Sequence, residues 1–550
     1  MANRYANLTP SAPISQEYKK ITQGFDRVQN EVDELNELKD RVDEILKGQD
    51  LDPNKDVEVL ASRVSSQYGT FDTLPARLDH TDQILASFME EVGNLEDLNT
   101  DEKSNLVGSI NEVNTRVKSH LEDIANLKAY VGYTDNDIYG IEVDIPNNTI
   151  TRLAGAVGKS AGANFDNINA YKRRRCIVAD DTTVLAYYGD PGYIETGFTT
   201  IEINKNGTVY PVGTPVQVMV EQPKFYYKRV PLVLEPIQNG IGFHLRKWRD
   251  YISDYPKAGF KLHPAFIRNG VEYDYIYYPA YEGSIFDVSA GAYLSNDNQV
   301  ADFNTDKLSS IAGVKPASGL TQNLTIVNTR KLANNRGEGW QQLDILADYA
   351  EVMLMSIEYA TFDFQTVIGR GRVDVADDGA TNMATNTGAT SSLGNASGMA
   401  PGTNGQVSVS YRGRENPWGN ILKWADGLNI EANGIHEAYW ADSNFVSDIK
   451  TDPYKPCGFT LAKTNGYISA IGYHPDCDFM YLPSETLGAS NKPLNDYFWQ
   501  NATYGGFLVA RLGGDWTYGS GAGACCLHAG SSSGVRNRPI GGGLLCIPRK

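Results

Sequence analysis

Apolar positions follow three different rhythms along the chain. Between Ile21 and Leu46 they keep a seven-residue register, with Ile21, Val28, Leu35 and Val42 on one seam position. Phe25, Val32 and Leu46 hold the other, interrupted by Lys39, and residues 31–50 carry eight Asp or Glu and three Lys or Arg. A 4,3 alternation of this kind lays one apolar stripe along a helix, and helices that bury such a stripe supercoil around one another. The register returns with Ile110, Val117, Ile124 and Val131 on one seam and Leu106, Val113, His120 and Leu127 on the other. Each run predicts about 40 Å of rod at 1.5 Å per residue. β-branched residues at one seam leave dimer and trimer both open.

A turn-rich stretch follows, with Pro146-Asn-Asn and Gly155-Ala-Val-Gly-Lys-Ser-Ala-Gly-Ala163, and reads as a connector. From residue 166 onward short aromatic and β-branched runs alternate with Gly, Asn, Asp and Pro. Val216–Val220, Lys224–Lys228 and Tyr273–Tyr278 are expected strands. Gln341–Tyr359 has Leu343, Leu346, Ala350, Leu354 and Ile357 at helical spacing, and a shorter helical piece is expected around Asp306–Ile311. Residues 376–405 are almost pure Gly, Ala, Ser, Thr and Asn. Because an apolar pattern resumes at Val407-Ser-Val-Ser-Tyr411, they are read as a long loop inside one domain. The resulting fold class is an N-terminal coiled-coil shaft followed by an α+β head.

Composition narrows the function. With 41% apolar and 21% charged residues, wholesale disorder is excluded. A formal charge of −18 argues against nucleic acid as a partner, since phosphate neutralisation needs clustered Lys and Arg. The single run Arg173-Arg174-Arg175 reads as a solvated turn or an intramolecular ion-pair site. No stretch approaches 18 consecutive apolar residues, so no membrane insertion is expected. The opening Met1-Ala-Asn-Arg-Tyr-Ala-Asn lacks the apolar core of a signal peptide, which predicts synthesis in the cytosol, to stay there or to leave inside a particle or by lysis. Six cysteines, Cys176, Cys457, Cys477, Cys525, Cys526 and Cys546, show no CxxC spacing and read as buried free thiols. Seven dispersed histidines give no metal cluster, and no cofactor is expected.

Several segments resemble phage tail proteins. Asp56-Val-Glu-Val-Leu-Ala-Ser-Arg63, Gly69-Thr-Phe71-Asp-Thr-Leu74-Pro-Ala-Arg77 and Asn105-Leu-Val-Gly-Ser-Ile-Asn-Glu-Val-Asn114 are similar to short elements of tail and baseplate proteins, where they precede a trimeric shaft. Glu415-Asn-Pro-Trp-Gly-Asn-Ile-Leu-Lys-Trp-Ala-Asp-Gly427 resembles a core element of the formylglycine-generating-enzyme type of C-type lectin fold. Ala510-Arg-Leu-Gly-Gly-Asp-Trp516, followed by Gly519-Ser-Gly-Ala-Gly523, looks like that fold's closing segment. The resemblance divides the chain into an attachment coiled coil (1–50), a connector element (51–100), a second coiled coil (101–133), a linker (134–165), a first part of the head (166–330) and a lectin-like domain (331–550).

That lectin-like fold hosts an oxidase as well as binding proteins, so fold cannot decide function. The oxidase holds copper on two cysteines a few residues apart. Cys525 and Cys526 are adjacent, and successive side chains on a strand diverge, so no enzyme is expected. The closing segment instead matches in position the variable region of diversity-generating-retroelement tropism proteins. By that resemblance the receptor-binding residues are Trp516, Thr517, Tyr518, Ser520, Cys525, Leu527, His528, Ser532, Arg536 and Arg538. What the resemblance implies is a homotrimeric tail fibre or baseplate protein of the virion, made in the host cytoplasm. Its N-terminal region would bind other tail proteins, and its tip a glycan or protein on a bacterial surface. A structural tail component without receptor contact and a glycan depolymerase are the alternatives.

Overall fold

The computed structural model describes residues 64–65, 69–70, 76–84, 118, 133–295, 299–317, 319, 321–380 and 383–550. Both heptad runs, apart from residue 118, lie outside the described residues, as does most of the connector element between them. Of the latter, Val64–Ser65 pairs antiparallel with Gly69–Thr70.

Residues 133–550 form one compact unit built mainly from three β-sheets. In the first, Phe243–Ser253 pairs with Tyr226–Pro236, Tyr139–Asp144 and Ala470–Tyr473. The second runs in the order Trp340–Gln342, Leu544–Cys546, Tyr275–Pro279, Val216–Pro223, Arg174–Ala179, Val184–Tyr187. The third has Leu422–Glu431 and Phe507–Leu512 at its centre and Leu527–Ser531, Tyr497–Gln500 and Gly466–Tyr467 toward one edge. Every residue of Val216–Pro223 is buried, and its polar members Gln217, Glu221 and Gln222 are hydrogen-bonded within the fold.

Two helices matter here, α1 (Ile326–Asn334) and α2 (Ile345–Tyr359). Asp344 caps α2 by accepting from the Ala347 N–H, and the helix stops at Ala360, which takes a left-handed conformation. All residues of α2 except Tyr359 are buried, against strands of the first and third sheets. A helix enclosed on every side must match any charge it carries. Its Glu351 meets Arg173 at 2.5 Å and also Arg414, while its Glu358 meets Arg412 at 2.7 Å. The arginine run is therefore an ion-pair site. Arg173 and Arg175 are buried against Glu351 and Glu195, and Arg174 lies at the surface on Glu221.

Several expectations are corrected. Residues 134–165 are no linker: Tyr139–Asp144 and Thr149–Ala154 form a hairpin whose Ile141 and Val143 sit in the main core. Strands also cross the expected boundary at 330/331, since Tyr277 pairs with Cys546 and Leu245 with Ile471. The piece near Asp306–Ile311 is the strand Lys307–Ser309, held by Ser284–Asp287. The long helix begins at Ile345, after the strand Trp340–Gln342, and α1 was not expected. All six cysteines are buried and unpaired. Among the described residues no helix is long and apolar enough to cross a membrane.

Candidate functional site

The third sheet carries a ladder of side chains that climbs from the core to the surface. Cross-strand register sets Trp424 against Arg511, Arg511 against His528 and His528 against Trp499. Residues paired this way share a face of the sheet, close enough for rings and long side chains to stack. At the inner end Trp424 is fully buried and donates its indole N–H to the Leu324 carbonyl at 2.9 Å. At the outer end Trp499 is 36% exposed.

The intervening rungs are unusual. Arg511 is 5% exposed, lies over the Trp424 ring at 5.4 Å, and has no acidic partner within ion-pair distance among the described residues. Its Nη2 donates to a ring nitrogen of His528 at 2.7 Å and to the Ser531 hydroxyl, while its Nε is buried without a partner. Burial pulls the guanidinium down to about 10. Burial, and then the charge of Arg511, hold His528 well below the usual imidazole range, so the ring is neutral and accepts from the arginine.

Around Trp499 the strand alternation gathers more rings. Phe498 points into the core and Tyr497 and Trp499 point out. Tyr497 lies 4.6 Å from Trp499, Tyr467 lies 5.2 Å from Tyr497, and Tyr518 lies 6.1 Å from Trp499. The Tyr467 hydroxyl meets Ser520 Oγ at 2.7 Å, which ties the Gly519–Gly521 turn to this patch.

Two devices hold the closing segment in place. Gly513 and Gly514 have φ of 87° and 77°, and a Cβ on Gly513 would meet the Pro417 carbonyl at 2.9 Å. Only glycine fits that approach. The buried Asp496 carboxylate accepts from the Cys525 N–H at 2.7 Å, and a Cβ on Gly523 would collide with the same carboxylate. Burial drives Asp496 well above the usual carboxylate range.

Of the residues expected to bind a receptor, Tyr518, Ser520 and His528 come together on this patch. Thr517 is exposed beside it, its hydroxyl donating to Asp515 at 2.8 Å. Ser532 and Arg536 lie in the loop after Leu527–Ser531, and Arg538 is drawn to Asp377 at 2.6 Å. Trp516, Cys525 and Leu527 are buried, and their side chains serve packing: Trp516 against Ile421, Cys525 and Leu527 in the main core. Tyr467, Tyr497 and Trp499 were not anticipated. The alternating run Tyr497-Phe-Trp-Gln500 is the signal that marks them, since it puts two aromatic rings on the face opposite Phe498. Among the described residues no three His, Cys, Asp or Glu side chains are placed to hold a metal ion. Both Cys525 and Cys526 are raised by burial and stay protonated thiols.

No family model and no curated protein matches the chain. Some solved structures do. The Major Tropism Determinant P3c variant aligns over 68% of this chain and 71% of its own, at 10% identity and a TM-score of 0.25. The U1 variant aligns over 74% and 93%, at 12% identity and a TM-score of 0.27. The I1 variant covers the same shares at 12% identity and a TM-score of 0.25.

Proposed function

We propose that this chain is a receptor-binding protein of a phage tail, which attaches the virion to a bacterial surface through the outer face of its third sheet. The supporting sequence features are the lectin-like motifs at 415–427 and 510–523 and the tail-protein elements near the N-terminus. The observation that carries the reading is the aromatic patch of Tyr467, Tyr497, Trp499, Tyr518 and His528. Rings set on strands present large, rigid contact area at small entropic cost, which suits recognition. The loop bearing Ser532 and Arg536 borders the patch and supplies polar contacts. Three such heads on one shaft would turn modest single-site affinity into durable attachment. Purified full-length protein should bind cells of the bacterium the virion infects, saturably, and should block infection. Failure in both assays contradicts the proposal.

A further inference from the structure

A cleft of about 450 Å³ opens elsewhere on the head, where Lys172, Arg173, Arg174 and Arg412 line its walls together with Asp166 and Glu221. This volume falls in the about 300–1,000 Å³ range of small-molecule sites.

Its hydrogen-bonding capacity is one-sided. The acids are already engaged: Asp166 takes an N–H of Arg412 at 2.9 Å, while Glu221 takes Arg174 at 2.7 Å and the Tyr187 hydroxyl at 2.7 Å. Two of the arginines are also anchored from outside the cleft, Arg173 by Glu351 and Arg412 by Glu358. The charged groups that remain are donors, beside the Asn169 amide and the Tyr275 hydroxyl. The exposed Lys172 ammonium has no acceptor within hydrogen-bond or ion-pair distance among the described residues. Arg174 spends one nitrogen on Glu221, and its guanidinium carbon lies over the Tyr187 ring at 3.7 Å, the side chain half exposed. The Asn395 side-chain carbonyl accepts from the Arg175 N–H at 2.7 Å, and its amide N–H groups have no acceptor among the described residues. Tyr275, 40% exposed, completes the rim.

We infer that this cleft binds a small polar molecule carrying an oxyanion, a carboxylate or a phosphate. A cavity whose two carboxylates are already bonded to arginines, and whose other charged groups are cationic, favours a ligand rich in acceptors. Charge-assisted bonds from Lys172 and a preorganised guanidinium are the strong kind. The chain's net charge of −18 would otherwise repel such a ligand, so local donors must provide the attraction. The inference is independent of whether the aromatic patch contacts a cell.

The test is thermal melting of the full-length protein with sodium glucuronate, sodium phosphate or neutral methyl glucoside, at ionic strength matched with sodium chloride. A ligand of the folded state raises the midpoint with its concentration. Glucuronate, phosphate or both should raise it, methyl glucoside should not, and Lys172→Glu should weaken the response at least about tenfold. Because Lys172 is exposed, that variant should melt normally without ligand, and Lys172→Ala gives a milder second reading. A response to glucuronate alone identifies a sugar acid, and to phosphate alone a phosphate ester; either supports the inference. No anion response, an equal response to methyl glucoside, or a response unchanged in both variants overturns it.

Discussion

The Trp499 indole lies against the His528 imidazole with planes 17° from parallel and centroids 6.1 Å apart, as the parallel pairing of their strands dictates. Because Arg511 donates to the same imidazole from beneath, the exposed tryptophan rests on a ring that is itself pinned to the core. Recognition surfaces gain from this arrangement, since little side-chain freedom remains to be lost on binding.

The buried pair Glu358–Arg412 should be costly to break. Glu358 also accepts from the Tyr411 hydroxyl at 2.9 Å. Glu358→Ala leaves a buried guanidinium with the outer Asp166 and the Tyr171 and Gly162 carbonyls, and destabilisation of about 3–5 kcal/mol is expected in denaturant melts. Glu358→Gln should cost less, because the amide oxygen still accepts.

Gly523→Ala is expected to destabilise by about 1–3 kcal/mol, because the new methyl group must displace the Asp496 carboxylate from the Cys525 amide. Denaturant titration of the variant checks this. A change below about 0.5 kcal/mol would show that the turn relaxes freely.

Acid stability should depend on His263. Burial brings its folded-state imidazole down to about 3, so unfolding takes up a proton below the ordinary value near 6.5. Its contribution is complete above about pH 6.5 and is lost progressively as pH falls. Asp348 and Glu415, each pushed up by burial to about 7, act with the opposite sign, gaining stability as pH falls from 7 toward 4. The net slope of the wild type is a difference, so the informative quantity is the change on substitution. His263→Asn keeps an acceptor for the Ala265 N–H and removes the titration. Between pH 6.5 and 5 it should lose up to about 2 kcal/mol less than wild type.

Shaft and head should separate cleanly at residue 133. A fragment of residues 133–550 should be monomeric in sedimentation and bind cells about 10²–10⁴-fold more weakly than the full-length chain, which is proposed to be a trimer. Equal binding by the two would remove avidity from the account.

Much of the head was legible because period-2 runs such as Val216–Val220 and Tyr273–Tyr278 need only local alternation to announce a strand. Other elements were hidden for physical reasons. Tyr139–Asp144 alternates clearly, but the Pro and Gly around it suggested a connector, and its partner Phe243–Ser253 lies a hundred residues away. Leu308 looks helical by spacing, yet Lys307–Ser309 takes its conformation from Ser284–Asp287. At the candidate site, order along the chain located the closing segment, whereas burial of Trp516, Cys525 and Leu527 depends on packing that one segment does not reveal. Trp499 joins His528 only through register between strands, which no local motif encodes.

Adsorption of purified full-length protein to cells of the infected bacterium, compared with its Trp499→Ala variant, decides whether the aromatic patch meets the receptor. Since Trp499 is partly exposed at the edge of the sheet, the variant should fold with nearly unchanged melting. Its affinity should fall at least about tenfold, roughly 1.4 kcal/mol, and it should no longer block infection. Undiminished binding and blocking by the folded variant would contradict the assignment of this surface as the receptor site.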